Sequence, residues 1–217
     1  LVNLTSVGGE LWFDQLGIQN KDLPCLQLSS VEELKITGSV FANILFPSLH
    51  HIDNNIDINY TTLDSLNFEA LTDVQNINIG PYCGWTSNYG VGSTFNLNTF
   101  NSLVSMGNLS IKDNHGGPWG GNSSGLYGLS GFNNLQQLNT LDVRDNSLLN
   151  SCCKLLDLSA LANGTITITA NGSNCSSLTG VYNVCCPTAG CTDPVAINYN
   201  DTAQCDNGSC LYEGCMD

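Results

Sequence analysis

Seven stretches of the chain share one arrangement of apolar and polar positions. An apolar residue is followed by two spacers, an apolar residue, two to four spacers, and then apolar-x-apolar. They read "LTSVGGELWF" from Leu4, "LSSVEELKI" from Leu28, "LHHIDNNIDI" from Leu49 and "LTDVQNINI" from Leu71. "LVSMGNLSI" from Leu103 and "LQQLNTLDV" from Leu135 follow, and "LANGTITI" from Leu161 is degenerate in its first half. The closing pairs are Leu11/Phe13, Leu34/Ile36, Ile56/Ile58, Ile77/Ile79, Leu109/Ile111, Leu141/Val143 and Ile166/Ile168. Alternation with period two predicts a short strand with one buried face. The pairs start 23, 22, 21, 32, 32 and 25 residues apart. A basal period in the low twenties predicts a solenoid with one short parallel strand per coil.

The two long intervals hold Gly-rich insertions, "GPYCGWTSNYGVGSTF" from Gly80 and "NHGGPWGGNSSGLYG" from Asn114. Neither has a periodic apolar face, so both are expected to loop out of the repeat. Trp85, Tyr89 and Trp119 in them are candidate stacking residues for a sugar or protein ligand. The residues between each apolar pair face outward: Trp12, Lys35, Asp57, Asn78, Ser110, Asp142 and Thr167. The next outward column is Asp14, Thr37, Asn59, Gly80, Lys112, Arg144 and Thr169. Five residues after each strand's first apolar position stand Leu16, Ser39, Thr61, Tyr82, Asn114, Asn146 and Asn171. The three consecutive Asn predict a partial ladder that satisfies backbone groups at a tight turn.

Composition narrows the function. Five Lys and Arg stand against nineteen Asp and Glu, a net charge of -14. Such a surface repels phosphate backbones and anionic lipid, which argues against nucleic acid as a partner. Charged residues are only 11% of the chain, whereas Asn numbers 28 and Ser 21. These residues suit turns and polar ladders better than helices. Eleven Cys with only three His, and doublets that do not fit zinc spacing, predict disulfides formed in an oxidising compartment. No apolar run approaches the length of a transmembrane helix, so direct membrane insertion is not expected.

The repeats, with "SVGGELWF" at Ser6–Phe13, resemble the receptor L domain, a leucine-rich-repeat-like fold of receptor ectodomains, and still more its relatives in large microbial surface proteins. "SCCKLLDLSALANGTITITANGSNCSSLTGVYNVCC" (Ser151–Cys186) is similar to the C-terminal cap of those relatives. The resemblance implies that Cys152 and Cys153 bond to Cys175 and to Cys185 or Cys186. Cys25 and Cys83 fall outside that pattern. Gly190–Cys210 resembles the short "GCTDPxAxNYxxxAxxDxGSC" module, which occurs in tandem near the C-termini of large secreted bacterial and algal surface proteins. Gly214–Asp217 repeats its opening, as if further copies followed in a longer chain. The expected architecture is therefore mainly β. A right-handed leucine-rich-repeat-like or β-helical solenoid of about seven coils with its cap spans 1–187. A small disulfide-stapled module spans 188–213, and a further copy starts at 214–217.

A module of this size needs a staple or a metal, and Cys191–Cys210 is the expected bridge. Asp193, Asn198, Asn200, Asp201 and Asp206, with Asn207 beside them, are candidate calcium ligands; the alternative is that they cap turns. Nine Asn-x-Ser/Thr sequons begin at Asn3, Asn59, Asn108, Asn122, Asn163, Asn171, Asn174, Asn200 and Asn207. Asp64-Ser65-Leu66 and Asp201-Thr202-Ala203 resemble bacterial O-glycosylation sites, with Ser65 and Thr202 as acceptors. No catalytic constellation is legible, and His50 and His51 beside Asp53 read as surface decoration. The sequence thus predicts a non-enzymatic, extracellular, cell-surface glycoprotein segment. It would join further repeats of the same long chain and self-assemble into a filament, hair or stalk. The alternative is an adhesin module that binds glycan or protein through the strand face or the Gly-rich loops.

Overall fold

The computed structural model of the chain describes residues 3–15, 23–38, 40–81, 97–114 and 126–213, apart from the side chains of 23, 40–43, 62–65 and 98. In chain order the first strands are β1 (Ser6–Asp14), β2 (Leu23–Pro24), β3 (Ser30–Thr37), β4 (Val40–Leu45), β5 (His51–Asn59) and β6 (Thr62–Asn67). Then come β7 (Asp73–Ile79), β8 (Ser105–Lys112), β9 (Thr140–Arg144) and helix α1 (Lys154–Leu161). β10 (Ile166–Thr169), helix α2 (Leu178–Cys185), β11 (Ala189–Gly190) and β12 (Cys205–Asp206) complete the order. The fold is mainly β. Its main sheet has seven strands in the order β1-β3-β5-β7-β8-β9-β10, and every pairing in it is parallel.

The seven apolar pairs lie on these seven strands and in register. Leu11 pairs with Leu34, Leu34 with Ile56, Ile56 with Ile77, Ile77 with Leu109, Leu109 with Leu141, and Leu141 with Ile166. Each strand is therefore laid against its predecessor with equivalent residues side by side, and the inward positions from Leu34 to Val143 are buried. A second, three-stranded parallel sheet, β2-β4-β6, runs through the first passes. The reading of one strand per coil missed it, because these segments carry only a short apolar alternation, ending at Ile44 and at Leu66.

A stack of phenylalanines fills the interior opposite the main sheet. Phe46, Phe68, Phe100 and Phe132 are fully enclosed, with consecutive ring centroids 5.2, 5.4 and 5.4 Å apart. Each stands three residues before a core leucine, and that leucine's N–H donates back to the Phe carbonyl in a tight turn, as Leu71 does to Phe68 at 3.0 Å. Cys25 takes the same place before Leu28, is buried, and carries no disulfide. Burial pushes its thiol pKa up, which disfavours the reactive thiolate.

The chain leaves the main sheet the same way in six of its seven passes. Gln15, Gly38, Tyr60, Asp113, Asp145 and Ala170, each four residues after its strand's first apolar position, have φ between 43° and 60°. Left-handed backbone reverses the chain at once, at a cost of about 1 kcal/mol or more for residues with a Cβ. The next residue repairs the exposed carbonyls. Asn146 donates through Nδ2 to Ile111 O (3.0 Å), Arg144 O (2.9 Å) and Asn171 Oδ1 (3.0 Å). Asn114 donates to Ile79 O and Asn146 Oδ1, both at 3.1 Å, and Asn171 donates to Val143 O and Cys175 O. Thr61 Oγ does the same for Ile36 O at 3.1 Å. In the pass between, Gly80 (φ 114°) is required, since an added Cβ would collide with the Lys112 carbonyl oxygen.

Two opposite substitutions test this turn. Asn146→Ala strands several buried groups and is expected to destabilise by about 2–4 kcal/mol. Ala170→Gly relieves a left-handed alanine and is expected to stabilise by about 1 kcal/mol. Denaturant unfolding of the two variants reads both, and equal effects of one sign would contradict the account.

Candidate functional site

The strand face is the first candidate, and its residues form hydrogen-bonded columns. The residue before each apolar pair builds a column that the sequence reading did not use: Glu10, Glu33, Asn55, Asn76, Asn108 and Thr140. Thr140 Oγ donates to Asn108 Oδ1, Asn108 Nδ2 to Asn76 Oδ1, and Asn76 Nδ2 to Asn55 Oδ1. Asn55 Nδ2 ends the row on Glu33 Oε1 at 2.9 Å. Lys35 then bridges Glu33 (3.4 Å) and Glu10 (3.0 Å). The Asn55 bond holds the Glu33 pKa down, with Lys35 adding to it. Beside it, burial pushes the Asp57 carboxyl up, although Asn78 Nδ2 donates to it at 2.7 Å.

The outward columns sit where the alternation placed them. Trp12 is 57% exposed, and its Nε1 donates to Thr37 Oγ, which in turn donates to Asp14. Asp142 lies between Lys112 (2.7 Å) and Arg144 (3.3 Å). The face is thus a mosaic of self-satisfied amides and ion pairs. Trp85, Tyr89 and Trp119 lie outside the described residues, as do Cys83, Asn122 and Cys215.

His51 opens β5 and lies in register with Asp73 of β7. Its Nδ1 contacts Asp73 Oδ1, and its Nε2 lies 2.8 Å from Asp53 Oδ1. Each ring nitrogen thus faces a carboxylate, a structured arrangement that the reading as decoration overlooked. The periodicity held the clue, since His51 and Asp73 both stand one residue before the second apolar position of their repeats.

Four disulfides lie at the C-terminal end: Cys152–Cys175, Cys153–Cys185, Cys186–Cys205 and Cys191–Cys210. The doublet Cys185-Cys186 is therefore split. Cys185 closes the cap between α1 and α2, while Cys186 reaches into the module. Each loop closed, of 19 to 32 residues, contributes about 3 kcal/mol in a chain-entropy account. Ser177 caps α2 by accepting from Gly180 N at 3.0 Å.

The candidate calcium ligands make local hydrogen bonds. Among the described residues no group of three His, Cys, Asp or Glu is placed to hold a metal. The proposed ligands instead point at separate local turns. Asp193 accepts from Val195 N and from the Tyr212 hydroxyl, which keeps its pKa low. Asn198 clamps the opposite segment, donating to Ser209 O and accepting from Leu211 N. Asn200 accepts from Thr202 N and Oγ, Asp206 from Gly208 N, and Asn207 from Ser209 N. Asp201 is exposed. Turn capping, the alternative reading, accounts for the oxygen-rich composition.

The sequons divide by accessibility. Asn171 is 7% exposed, and its Nδ2 donates to two carbonyls. Asn108 is half-buried in the amide row, and the half-buried Asn59 amide faces the carbonyls of Gly80 and Ile58. Asn200 is half-buried, while Asn3, Asn163, Asn174, Asn207 and Thr202 are exposed. Ser65 lies on β6 in register with Asn43, and its side chain is outside the described set.

His51 supplies a pH test. The Asp53 bond raises its pKa above the ordinary value near 6.5, with Asp73 adding to it. A raised folded pKa stabilises fully below the unfolded value of about 6.5, and the contribution fades as pH rises through the folded value. NMR titration is expected to show His51 titrating above the ordinary histidine value near 6.5, and Asp53→Asn to lower it; an ordinary value in the unaltered chain would refute the pairing. The chain matches no protein-family model, no curated protein and no solved structure.

Proposed function

We propose that the chain is a structural segment of a large extracellular cell-surface filament, hair or stalk glycoprotein. It has no enzymatic role. Residues 1–187 form a receptor L-domain-like solenoid of about seven coils with its cap, followed by a tandem-type module. The single observation that carries this reading is Cys186–Cys205. That bond ties the cap to the module across their junction, where Gln204 N also donates to Thr188 O at 2.8 Å. A hinge would serve a mobile recognition head, whereas a covalent clamp suits a rod that transmits tension. Four disulfides fit an oxidising extracellular location, and no helix of the described residues is long and apolar enough to cross a membrane. The amide row and the ion pairs of the strand face support the same role, because those groups already bond one another.

Immunogold electron microscopy tests the proposal. Antibodies raised against the purified chain are expected to label a cell-surface fibre at repeated intervals. Label confined to the cell interior, or to soluble secreted material without any fibre, would overturn it.

A further inference from the structure

A groove of about 370 Å³ opens on the bend where the chain enters β8 and β9. Ser105, Met106, Gly107, Gln137, Leu138, Asn139 and Asn163 line it. Gly107 makes the room. The register sets it beside Gln75 on one side and Asn139 on the other, so it is a gap between two amide side chains. That glycine is held tightly, for an added Cβ would lie 2.6 Å from Gln75 O.

The walls are fixed by main-chain bonds. Met106 N donates to Gln137 O (3.0 Å), Asn139 N to Gly107 O (2.7 Å) and Asn163 N to Leu138 O (3.1 Å). The backbone is thereby occupied, and the side chains of Gln137, Asn139 and Asn163 are exposed. Ser105 Oγ donates to Gln137 Oε1 at 3.2 Å, which fixes that amide with its NH₂ outward. Met106 and Leu138 lie buried beneath the groove, so the surface it presents is mostly polar.

The same bend carries Glu32, Asp53 and Asp73 in its earlier passes, yet the groove lining holds no charged residue. An anion would meet no cation there, and the Asp73 carboxylate, beside Ser105 on the neighbouring strand, is already engaged by His51 and Thr72. Primary amides each offer donors and an acceptor, as hydroxyl-rich molecules require. We infer that this groove is a binding site for a neutral saccharide. The ligand has two possible sources. It is either a free glycan or the chain's own glycan on Asn163, which heads the sequon Asn163-Gly164-Thr165 at the groove's rim. The site is separate from the filament role, and its test leaves that role untouched.

The test is an NMR titration of the unglycosylated chain with maltotriose, N,N′-diacetylchitobiose and, as a charged comparison, 3′-sialyllactose. Saturable shifts of the Gln137, Asn139 and Asn163 side-chain amides with a neutral sugar are expected. Gln137→Ala and Asn139→Ala alter exposed side chains that the core does not use, and each should weaken binding about tenfold, the effect of one lost hydrogen bond. For the chain glycosylated at Asn163, the Gln137 and Asn139 amides shifted before any sugar is added, together with loss of free-sugar binding, identify the attached glycan as the occupant. Absence of saturable shifts from both forms, or shifts unaltered in the two variants, overturns the inference.

Discussion

Main-chain hydrogen bonding between consecutive parallel strands governs everything else in this molecule, because it seats each residue beside its equivalent in the previous pass. Like must therefore tolerate like. Leucine and isoleucine do so by dispersion, phenylalanine by stacking, and asparagine because one amide both donates and accepts. Carboxylates and ammonium groups do not, since equal charges in neighbouring passes repel. This explains a chain with 28 asparagines and only 11% charged residues. Where charges do enter the columns they alternate or find a base nearby, as Glu10, Lys35 and Glu33 do and as Asp142 does with Lys112 and Arg144.

A column has two ends, and the ends differ. At the first strand Leu4, Val7 and Leu11 are only partly covered, whereas their equivalents Leu28, Val31 and Leu34 are buried. At the other end α1 and α2 bring Leu155, Leu158 and Val181 onto the core, and the disulfides lock them there. Short helices of eight residues do not persist alone in water, so the covalent links supply what length cannot. The same logic holds in the module, where Cys191 and Ala196 are almost the only buried side chains.

Much of this order was legible in the amino-acid pattern. The apolar pairs placed all seven strands of the main sheet, and their spacing placed Asn114, Asn146 and Asn171 in one ladder. The phenylalanine stack was equally visible, since Phe46, Phe68, Phe100 and Phe132 each stand three residues before a repeat leucine, but hydrophobic spacing alone does not say that rings will touch. The sheet β2-β4-β6 was hidden because its segments alternate too briefly. Asp193, Asn198 and Asp206 are ambiguous in sequence for a different reason. Oxygen-rich loops serve calcium and turn capping with the same residue types, and only side-chain direction separates them.

The amide row on the strand face has a sense. From Thr140 to Asn55 each donor points toward Glu33, so four side-chain dipoles add head to tail over about 19 Å of sheet at some 4.8 Å per strand. Their positive ends converge on the Glu33 carboxylate. An amide can rotate by half a turn and exchange its two roles, so the row is reversible in principle, and the ion at its end selects one of its two orientations. A single negative charge thereby polarises a stripe five strands wide.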